Sequence, residues 1–236
     1  YGSMGDGQAR VLVERARALG VTAFETATSY GEGAMERLLG DVLGADAGSI
    51  VITKLGTDLS SLPPRKRFDV AYLQRALDEA QERLRRPTLD VVLLHNPSKA
   101  ALDDPALGQW LDGCIAQGRL RTWGVSVGNA EIGRAALGMG AKVLQFAFNA
   151  LHTSELDALG AEATSRGVGL LARSVLAHGL LCGLWPRSKR FGPGDHRAER
   201  WSAEELERRI QQLDALCPAV GTGADFLRAV ALRFVL

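Results

Sequence analysis

The sequence has few cysteines, and they form no recognisable pattern. Cys114, Cys182 and Cys217 lie far apart, and none belongs to a C-x-x-C pair. Their odd number and wide spacing argue against a disulfide framework and against a cysteine-based zinc site. We therefore predict reduced cysteines and no bound metal.

Long apolar runs and an excess of one charge are also missing. No apolar run reaches the roughly 18 residues that a membrane helix requires, and no signal peptide is recognisable. The 28 basic and 27 acidic residues give a net charge of +1, so nothing indicates a nucleic-acid or membrane partner. We therefore predict a cytoplasmic protein.

What the sequence does contain is a repeated alternation of strand-like and helix-like segments. The predicted strands are Ala23–Ala27, Ile50–Leu55, Leu89–His95, Thr122–Val127, Val143–Asn149 and Val168–Val175. Helical periodicity is found in Gln8–Leu19, Gly33–Leu43, Val70–Arg86, Pro105–Gly118, Ala130–Leu137, Ser154–Arg166, Trp201–Leu216 and Ala224–Leu236. Repeated βα units predict an α/β fold with a parallel sheet, here a single (β/α)₈ barrel domain over residues 1–236.

The number of strands is smaller than this barrel requires. Six βα units are present where a complete barrel has eight strands. The sequence opens on a loop leading into a helix and stops inside an apolar helix, so we expect one strand before Tyr1 and another after Leu236. The barrel is then incomplete and the sequence internal to a longer chain. Its open edges predict an oligomer if another chain pairs with them.

Polar side chains follow three successive predicted strands at their carboxyl ends. They are Glu25, Tyr30, Lys54 and His95. In barrels of this type, catalytic groups gather at this rim. A phenol has an ordinary pKa of about 10, and a neighbouring lysine cation lowers it. A carboxylate would hold the lysine, and the histidine would bind a substrate oxygen, giving general-acid catalysis without a metal.

Each of these residues also has an ordinary structural explanation. A lysine at a strand end is commonly a surface or ion-pair residue. His95 could cap a turn in Leu94-His95-Asn96-Pro97, and Tyr30 could pack at a helix start. Their joint occurrence on three successive strand ends favours an active site.

No G-x-G-x-x-G fingerprint or Walker motif opens a helix in this sequence. A nicotinamide cofactor would therefore have to lie across the mouth of the barrel. Ser126, Gln145 and Asn149 supply donors and acceptors for its carboxamide, and the Gly- and Leu-rich loop Leu176–Gly183 could cover the diphosphate. The alternative is that these polar residues bind only water.

These segments together resemble the aldo/keto reductase superfamily. Phe24-Glu25-Thr26-Ala27, Tyr30-Gly31-Glu32-Gly33 and Glu36 with Leu38-Leu39-Gly40 resemble its FDTA…YG.G..E..LG signature. Ile52-Thr53-Lys54, Leu93-Leu94-His95-Asn96-Pro97, Gly124-Val125-Ser126, Gln145-Phe146-Ala147-Phe148-Asn149 and Leu176-Ala177-His178-Gly179-Leu180-Leu181-Cys182-Gly183 resemble further segments, in the family's order.

The resemblance implies NADP(H)-dependent reduction of a small aldehyde or ketone. It implies that Tyr30 donates the proton, Lys54 lowers its pKa, His95 orients the carbonyl and Glu25 takes the place of the aspartate. The cofactor-binding residues that it implies are Ser126, Asn129, Gln145, Asn149, Arg173, Ser174, Leu176, Gly179, Leu180 and Gly183.

Three features depart from the family pattern. Glu25 is one methylene longer than the family's aspartate, and a misplacement of about 1 Å can lower a rate about 10²-fold. Arg173 stands where many members stack an aromatic ring on the nicotinamide, and its charge would disfavour the oxidised ring. The region that binds the adenosine 2′-phosphate in the family is absent, so the preference for NADPH over NADH is implied by resemblance alone.

Two alternatives to a reductase stay open. One is a nucleotide-sensing regulatory subunit, similar to the potassium-channel β subunits, and the other is a redox-inactive relative. Substrate selection would depend on loop aromatics such as Trp185, Phe191 and Trp201. The stretch Leu176–Arg200 could be a lid that closes over the cofactor.

Overall fold

A computed structural model gives the structure of residues 5–183, 185–192, 195–220 and 223–236, in which strands and helices alternate. The strands are β1 (Ala23–Glu25), β2 (Ile50–Leu55), β3 (Thr57–Asp58), β4 (Arg65–Lys66), β5 (Leu89–His95), β6 (Leu120–Ser126), β7 (Val143–Ala147) and β8 (Gly169–Arg173). The helices are α1 (Asp6–Ala18), α2 (Ala34–Leu43), α3 (Val70–Leu84), α4 (Lys99–Leu102), α5 (Pro105–Ala116), α6 (Ala130–Met139), α7 (Ser154–Ser165), α8 (Ala203–Val220) and α9 (Ala224–Val235).

Six of the strands form one sheet in the order β1-β2-β5-β6-β7-β8. The pairs β1 with β2, β2 with β5, β5 with β6 and β6 with β7 are all parallel. Parallel neighbours require a crossover connection, which the helices between them supply. The carboxyl ends of the strands therefore lie along one edge of the sheet, as the sequence predicts.

Some element boundaries differ from the predicted ones. Strand β1 stops at Glu25, although the N–H groups of Thr26 and Thr28 still donate to the carbonyls of Ile52 and Lys54. Pairing with β2 thus continues beyond the regular strand. Helix α3 stops at Leu84 because the next residue adopts a left-handed conformation, two residues before the proline expected to end it.

A short antiparallel hairpin, β3 with β4, follows β2 directly and was not predicted. Thr57 lies opposite Lys66, and Asp58 opposite Arg65. Asp58 is buried and accepts hydrogen bonds from the hydroxyl (2.6 Å) and N–H (3.0 Å) of Ser60. These bonds, followed by the Arg65 guanidinium, lower the pKa of Asp58 to about 2. The hairpin is thus anchored at the carboxyl end of β2.

Helix α2 is fixed behind β2 by a fully buried carboxylate, Glu36. The Thr53 hydroxyl donates to it at 2.5 Å, and Nε of Arg83 on α3 donates at 2.7 Å. A buried carboxylate is tolerated only with such partners. Gly40 brings α2 and α3 close together, because a Cβ atom there would collide with the backbone carbonyl oxygen of Arg83.

The chain divides into two compact units. The first comprises residues 5–146 and Ala158–Leu171. Its core is formed by strand residues such as Val92, Leu93 and Leu94, each at most 1% exposed. Strand β5 is apolar over several consecutive residues because both of its faces are covered.

The second unit comprises Ala147–Asp157 and Ala172–Leu236. Its core consists of Ala177, Leu180, Leu181, Leu206, Ile210, Leu213 and Ala231, with Leu151, Leu176, Trp185, Phe191 and Trp201 packed against it. Within the described ranges of the chain, no helix has both the length and the apolar character needed to cross a membrane. The assignment of one domain to residues 1–236 stays a prediction.

Candidate active site

The first unit brings the four predicted catalytic residues to one edge of its sheet. Glu25 ends β1, Lys54 is the fifth residue of β2, and His95 ends β5. Tyr30 lies in the loop after β1. Because the three strands are neighbours in the sheet, their carboxyl ends place these side chains together.

Lys54 is the buried centre of this group, with a side chain only 2% exposed. Its ammonium donates to the carbonyl oxygen of Thr26 at 2.9 Å and forms an ion pair with the carboxylate of Glu25, which is 36% exposed. A buried cation is costly unless it is paired and hydrogen-bonded. The glutamate side chain is therefore long enough to reach the lysine from the end of β1.

Tyr30 lies directly beside this cation. The Lys54 nitrogen is 4.7 Å from the centre of the Tyr30 ring, and Tyr30 is 40% exposed. The loop is held by a hydrogen bond from the Tyr30 N–H to the carbonyl of Ala27 at 2.9 Å. A cation this close stabilises the phenolate relative to the phenol. One side of the tyrosine is thus in contact with charge and the other with solvent.

His95 completes the group from the third strand. Its ring lies edge-on to Tyr30, with the ring centres 6.5 Å apart and the planes at 87°. The hydroxyl of Thr57 lies 3.5 Å from its Nδ1 atom, and the Lys66 ammonium donates to that hydroxyl at 2.8 Å. Desolvation lowers the pKa of Lys66. Because the two rings are neighbours, the phenol of Tyr30 and the imidazole of His95 can both hydrogen-bond to one substrate oxygen.

Two predicted cofactor-binding residues lie on the next strands of the same unit. Ser126 ends β6 directly opposite Gln145 of β7, and the two side chains are 2% and 3% exposed. The side-chain oxygen of Gln145 has no hydrogen-bond partner within the described part of the chain. A buried oxygen without a partner is costly and suits an incoming N–H donor. The pair therefore fits a carboxamide such as that of nicotinamide.

Asn129 occupies a different structural position from these two. Its side-chain oxygen accepts a hydrogen bond from the N–H of Ile132 at 3.0 Å and so caps the N-terminus of α6. Capping fixes the loop that follows Ser126. A direct contact of Asn129 with a cofactor stays a prediction.

The remaining predicted cofactor residues belong to the second unit. The Asn149 side chain donates to the carbonyl of Ser174 at 3.0 Å and accepts from the N–H of Leu151 at 3.0 Å. Arg173 accepts a backbone hydrogen bond from Phe148 at 3.1 Å, and Ser174 has a left-handed backbone with φ of 57°. Asn149 therefore organises its own loop, and its contact with a nicotinamide remains a prediction.

The loop Leu176–Gly183 contains a 3₁₀ segment, Ala177–Cys182, and packs onto the core of the second unit. Leu180 is 1% exposed, and Leu176 also contacts this core. Gly179 and Gly183 adopt positive φ angles of 101° and 66°. The side chains of these leucines therefore stabilise the loop, and any contact with a cofactor would be made by the loop backbone.

The predictions from sequence missed Thr57, which lies beside His95, and Lys66, which contacts Thr57. They also missed the structural role of Glu36. Thr57 and Lys66 are nine residues apart and meet only because the intervening hairpin pairs them. In the sequence, Glu36 is only one position of the family signature. Its fixed spacing from Tyr30-Gly31 was the feature that could have indicated its structural role. Among the described residues, no group of three His, Cys, Asp or Glu side chains is arranged to hold a metal.

Comparison with known proteins shows the family to which this chain belongs. The aldo/keto reductase family matches residues 1–236, and the chain belongs to that family. An oxidoreductase of Mycobacterium tuberculosis is 34% identical over 98% of this chain and 70% of its own length. The chain is thus an α/β oxidoreductase-family protein whose six parallel strands are consistent with part of a (β/α)₈ barrel.

Solved structures agree with this fold. Glycerol dehydrogenase from Gluconobacter oxydans has a TM-score of 0.82 at 22% identity, covering 100% of this chain and 74% of that one. An aldo/keto reductase from Klebsiella pneumoniae, solved in complex with NADP and acetate, has a TM-score of 0.63 at 18% identity, covering 97% and 85%. At these identities the structures show the fold alone.

Proposed function

We propose that this chain acts as an NADP(H)-dependent oxidoreductase that reduces a small aldehyde or ketone to an alcohol, with Tyr30 as the general acid. The observation that carries the proposal is the buried Lys54 ammonium, which is paired with Glu25 and lies against the Tyr30 ring. A lysine with a purely structural role does not require an accessible phenol beside it. A phenol that must release a proton is helped by a neighbouring cation, because the cation stabilises the phenolate.

The carbonyl oxygen of the substrate would lie between the Tyr30 hydroxyl and His95. His95 would donate a hydrogen bond to this oxygen and orient the carbonyl. When bound, the reduced nicotinamide supplies the hydride to the carbonyl carbon. Tyr30 gives its proton to the oxygen as negative charge develops there, and Lys54 stabilises the phenolate that remains. Glu25 keeps Lys54 charged and fixed.

The cofactor assignment is supported by the unpartnered oxygen of Gln145 opposite Ser126. These two residues would hold the nicotinamide carboxamide. Asn129, Asn149, Arg173, Ser174 and the loop Leu176–Gly183 are proposed as further contacts by their place in the family motifs. NADP is bound by the Klebsiella pneumoniae relative, and the choice of NADPH over NADH here is part of the proposal.

The experiment that tests this function compares two tyrosine variants. Tyr30→Phe is expected to lower kcat for aldehyde reduction by about 10²- to 10⁴-fold while the NADPH dissociation constant changes little. Tyr72→Phe is the matched control. Burial first, and then the Asp58 and Glu79 carboxylates, raise the pKa of Tyr72 to about 12, so it is a poor proton donor.

Consumption of NADPH and of NADH would be followed with a panel of aliphatic and aromatic aldehydes and ketones. Loss of turnover in Tyr30→Phe alone supports the proposal. Equal turnover in wild type and Tyr30→Phe would contradict it. Tight NADPH binding with no turnover of any carbonyl would point instead to a nucleotide-sensing protein.

A further inference from the structure

The hairpin formed by β3 and β4 contacts His95 through one hydroxyl group. The Oγ1 atom of Thr57 lies 3.5 Å from Nδ1 of His95, at the long end of the hydrogen-bond range. Catalytic hydrogen bonds are often long before substrate binds and shorten in the complex. The same oxygen lies 2.8 Å from the ammonium of Lys66, its partner across the hairpin.

The chemistry of these three groups restricts where their protons lie. A lysine ammonium has donors only, so the Thr57 oxygen must be the acceptor in the contact with Lys66. The hydroxyl still has its own hydrogen, and a donor already bound to the oxygen makes that hydrogen a stronger donor through hydrogen-bond cooperativity. When this hydroxyl hydrogen points at His95, Nδ1 must be the acceptor.

We propose that Thr57 and Lys66 are positioning residues that hold neutral His95 in the tautomer with its proton on Nε2. This inference rests on the proposed reductase function for its consequence but not for its geometry. With Nδ1 accepting from Thr57, the ring proton lies on Nε2, which would donate to the substrate carbonyl oxygen. The opposite tautomer would present a lone pair to that oxygen and repel the developing negative charge.

The tautomer is measurable without substrate or turnover. Long-range ¹H–¹⁵N correlation spectra of protein with labelled histidine separate protonated from unprotonated ring nitrogens, and His95→Gln identifies the His95 signals. In the wild type at pH 7 we expect Nδ1 unprotonated and Nε2 protonated. In Thr57→Val, which keeps the branched shape but lacks the hydroxyl, the two tautomers should mix. Thr57→Ser should restore the single tautomer.

Kinetics supply the second measurement. Thr57→Val should lower kcat roughly 3- to 10-fold, the effect of one modest hydrogen bond, with KM changed less. Thr57→Ser should return kcat to near the wild-type value. Lys66→Met should shift the tautomer in the same direction as Thr57→Val, while Lys99→Met, which removes an exposed lysine paired with Asp103, should not. Lys66→Met also tests the idea if Thr57→Val fails to fold.

The outcomes separate this inference from the proposed function. A proton on Nδ1 of wild-type His95, or an unchanged tautomer in both Thr57→Val and Lys66→Met, would overturn the inference whatever the turnover. The predicted tautomer in a wild type that reduces no carbonyl would leave the positioning inference standing and contradict the proposed function.

Discussion

The ammonium of Lys54 lies over the ring of Tyr30, 4.7 Å from its centre, although the two residues come from different strand–loop connections. The lysine is almost fully buried and the tyrosine half-exposed. A buried cation that contacts an accessible phenol is an arrangement suited to proton donation at neutral pH.

Glu25 is expected to work in place of the family's aspartate. Glu25→Gln removes the counter-charge of Lys54 and should lower kcat at least about tenfold. It should lower the free energy of unfolding by about 1–3 kcal/mol, because the buried ammonium loses its charged partner. Glu25→Asp keeps the charge and should leave kcat within about tenfold of wild type. Steady-state kinetics and urea denaturation provide the two readouts. A rise in kcat of about 10²-fold in Glu25→Asp would show that the glutamate impairs the site.

Gln145 is expected to contribute to cofactor binding and not to folding. Gln145→Met removes the buried oxygen that lacks a partner and should weaken NADP(H) binding about tenfold, which corresponds to about 1.4 kcal/mol. The free energy of unfolding without cofactor should stay the same or increase. Gln117→Met, an exposed glutamine at the end of α5, is the control. Equal cofactor affinity in both variants, measured by calorimetry, would count against the proposed carboxamide site.

The close contact between α2 and α3 should make the protein sensitive to substitution of Gly40. Gly40→Ala introduces a Cβ atom into the space of the Arg83 carbonyl and should lower the free energy of unfolding by about 1–3 kcal/mol. Gly138→Ala on α6 meets nothing within 4 Å and should be neutral or stabilising by up to about 1 kcal/mol. Denaturation of both variants checks this. Equal stability of the two would mean that the helices do not approach closely here.

Asp58 should make the hairpin beside His95 sensitive to acid. Its pKa is lowered from 3.8 to about 2, chiefly by hydrogen bonds from Ser60, so the folded state favours the ionised form. The stabilisation is complete above about pH 4 and is lost as the pH falls through about 2. The difference in unfolding free energy between wild type and Asp58→Asn should therefore shrink over that interval.

Urea denaturation at a series of pH values measures this difference. Ser60→Ala removes the strongest of the hydrogen bonds to Asp58 and should narrow the pH interval, because the pKa in the folded state then lies closer to 3.8. A difference in unfolding free energy that stays constant from neutral pH down to about pH 2 would mean that these bonds do not lower the pKa of Asp58.

The sheet and the polar residues at its edge could be read from the sequence because they depend on local patterns. Strand β2 was predicted with its observed boundaries, Ile50–Leu55, and β5 ends at His95 as expected. Both are largely apolar segments bounded by turn residues, and their alternation with helical segments predicts parallel pairing. Glu25, Lys54 and His95 then followed from strand position alone.

The parts that the sequence did not reveal depend on contacts between distant residues. Strands β3 and β4 have only two residues each and carry no periodic signal. The partner of Glu36 is Arg83, 47 residues away, so neither its burial nor its ion pair can be read from one helix. The 3.5 Å contact between the Thr57 hydroxyl and His95 likewise exists only in the folded chain.

Hydride transfer to a carbonyl carbon, with Tyr30 as proton donor, is the activity that we propose for this chain. The most direct measurement uses NADPH carrying deuterium at both hydrogen positions of the dihydronicotinamide C4, an aldehyde accepted in the turnover assay and mass spectrometry of the alcohol. We expect the wild type to form alcohol with a single deuterium at the former carbonyl carbon, and Tyr30→Phe to form it at least about 10²-fold more slowly. Alcohol that forms without deuterium, or equally fast in both proteins, would contradict it.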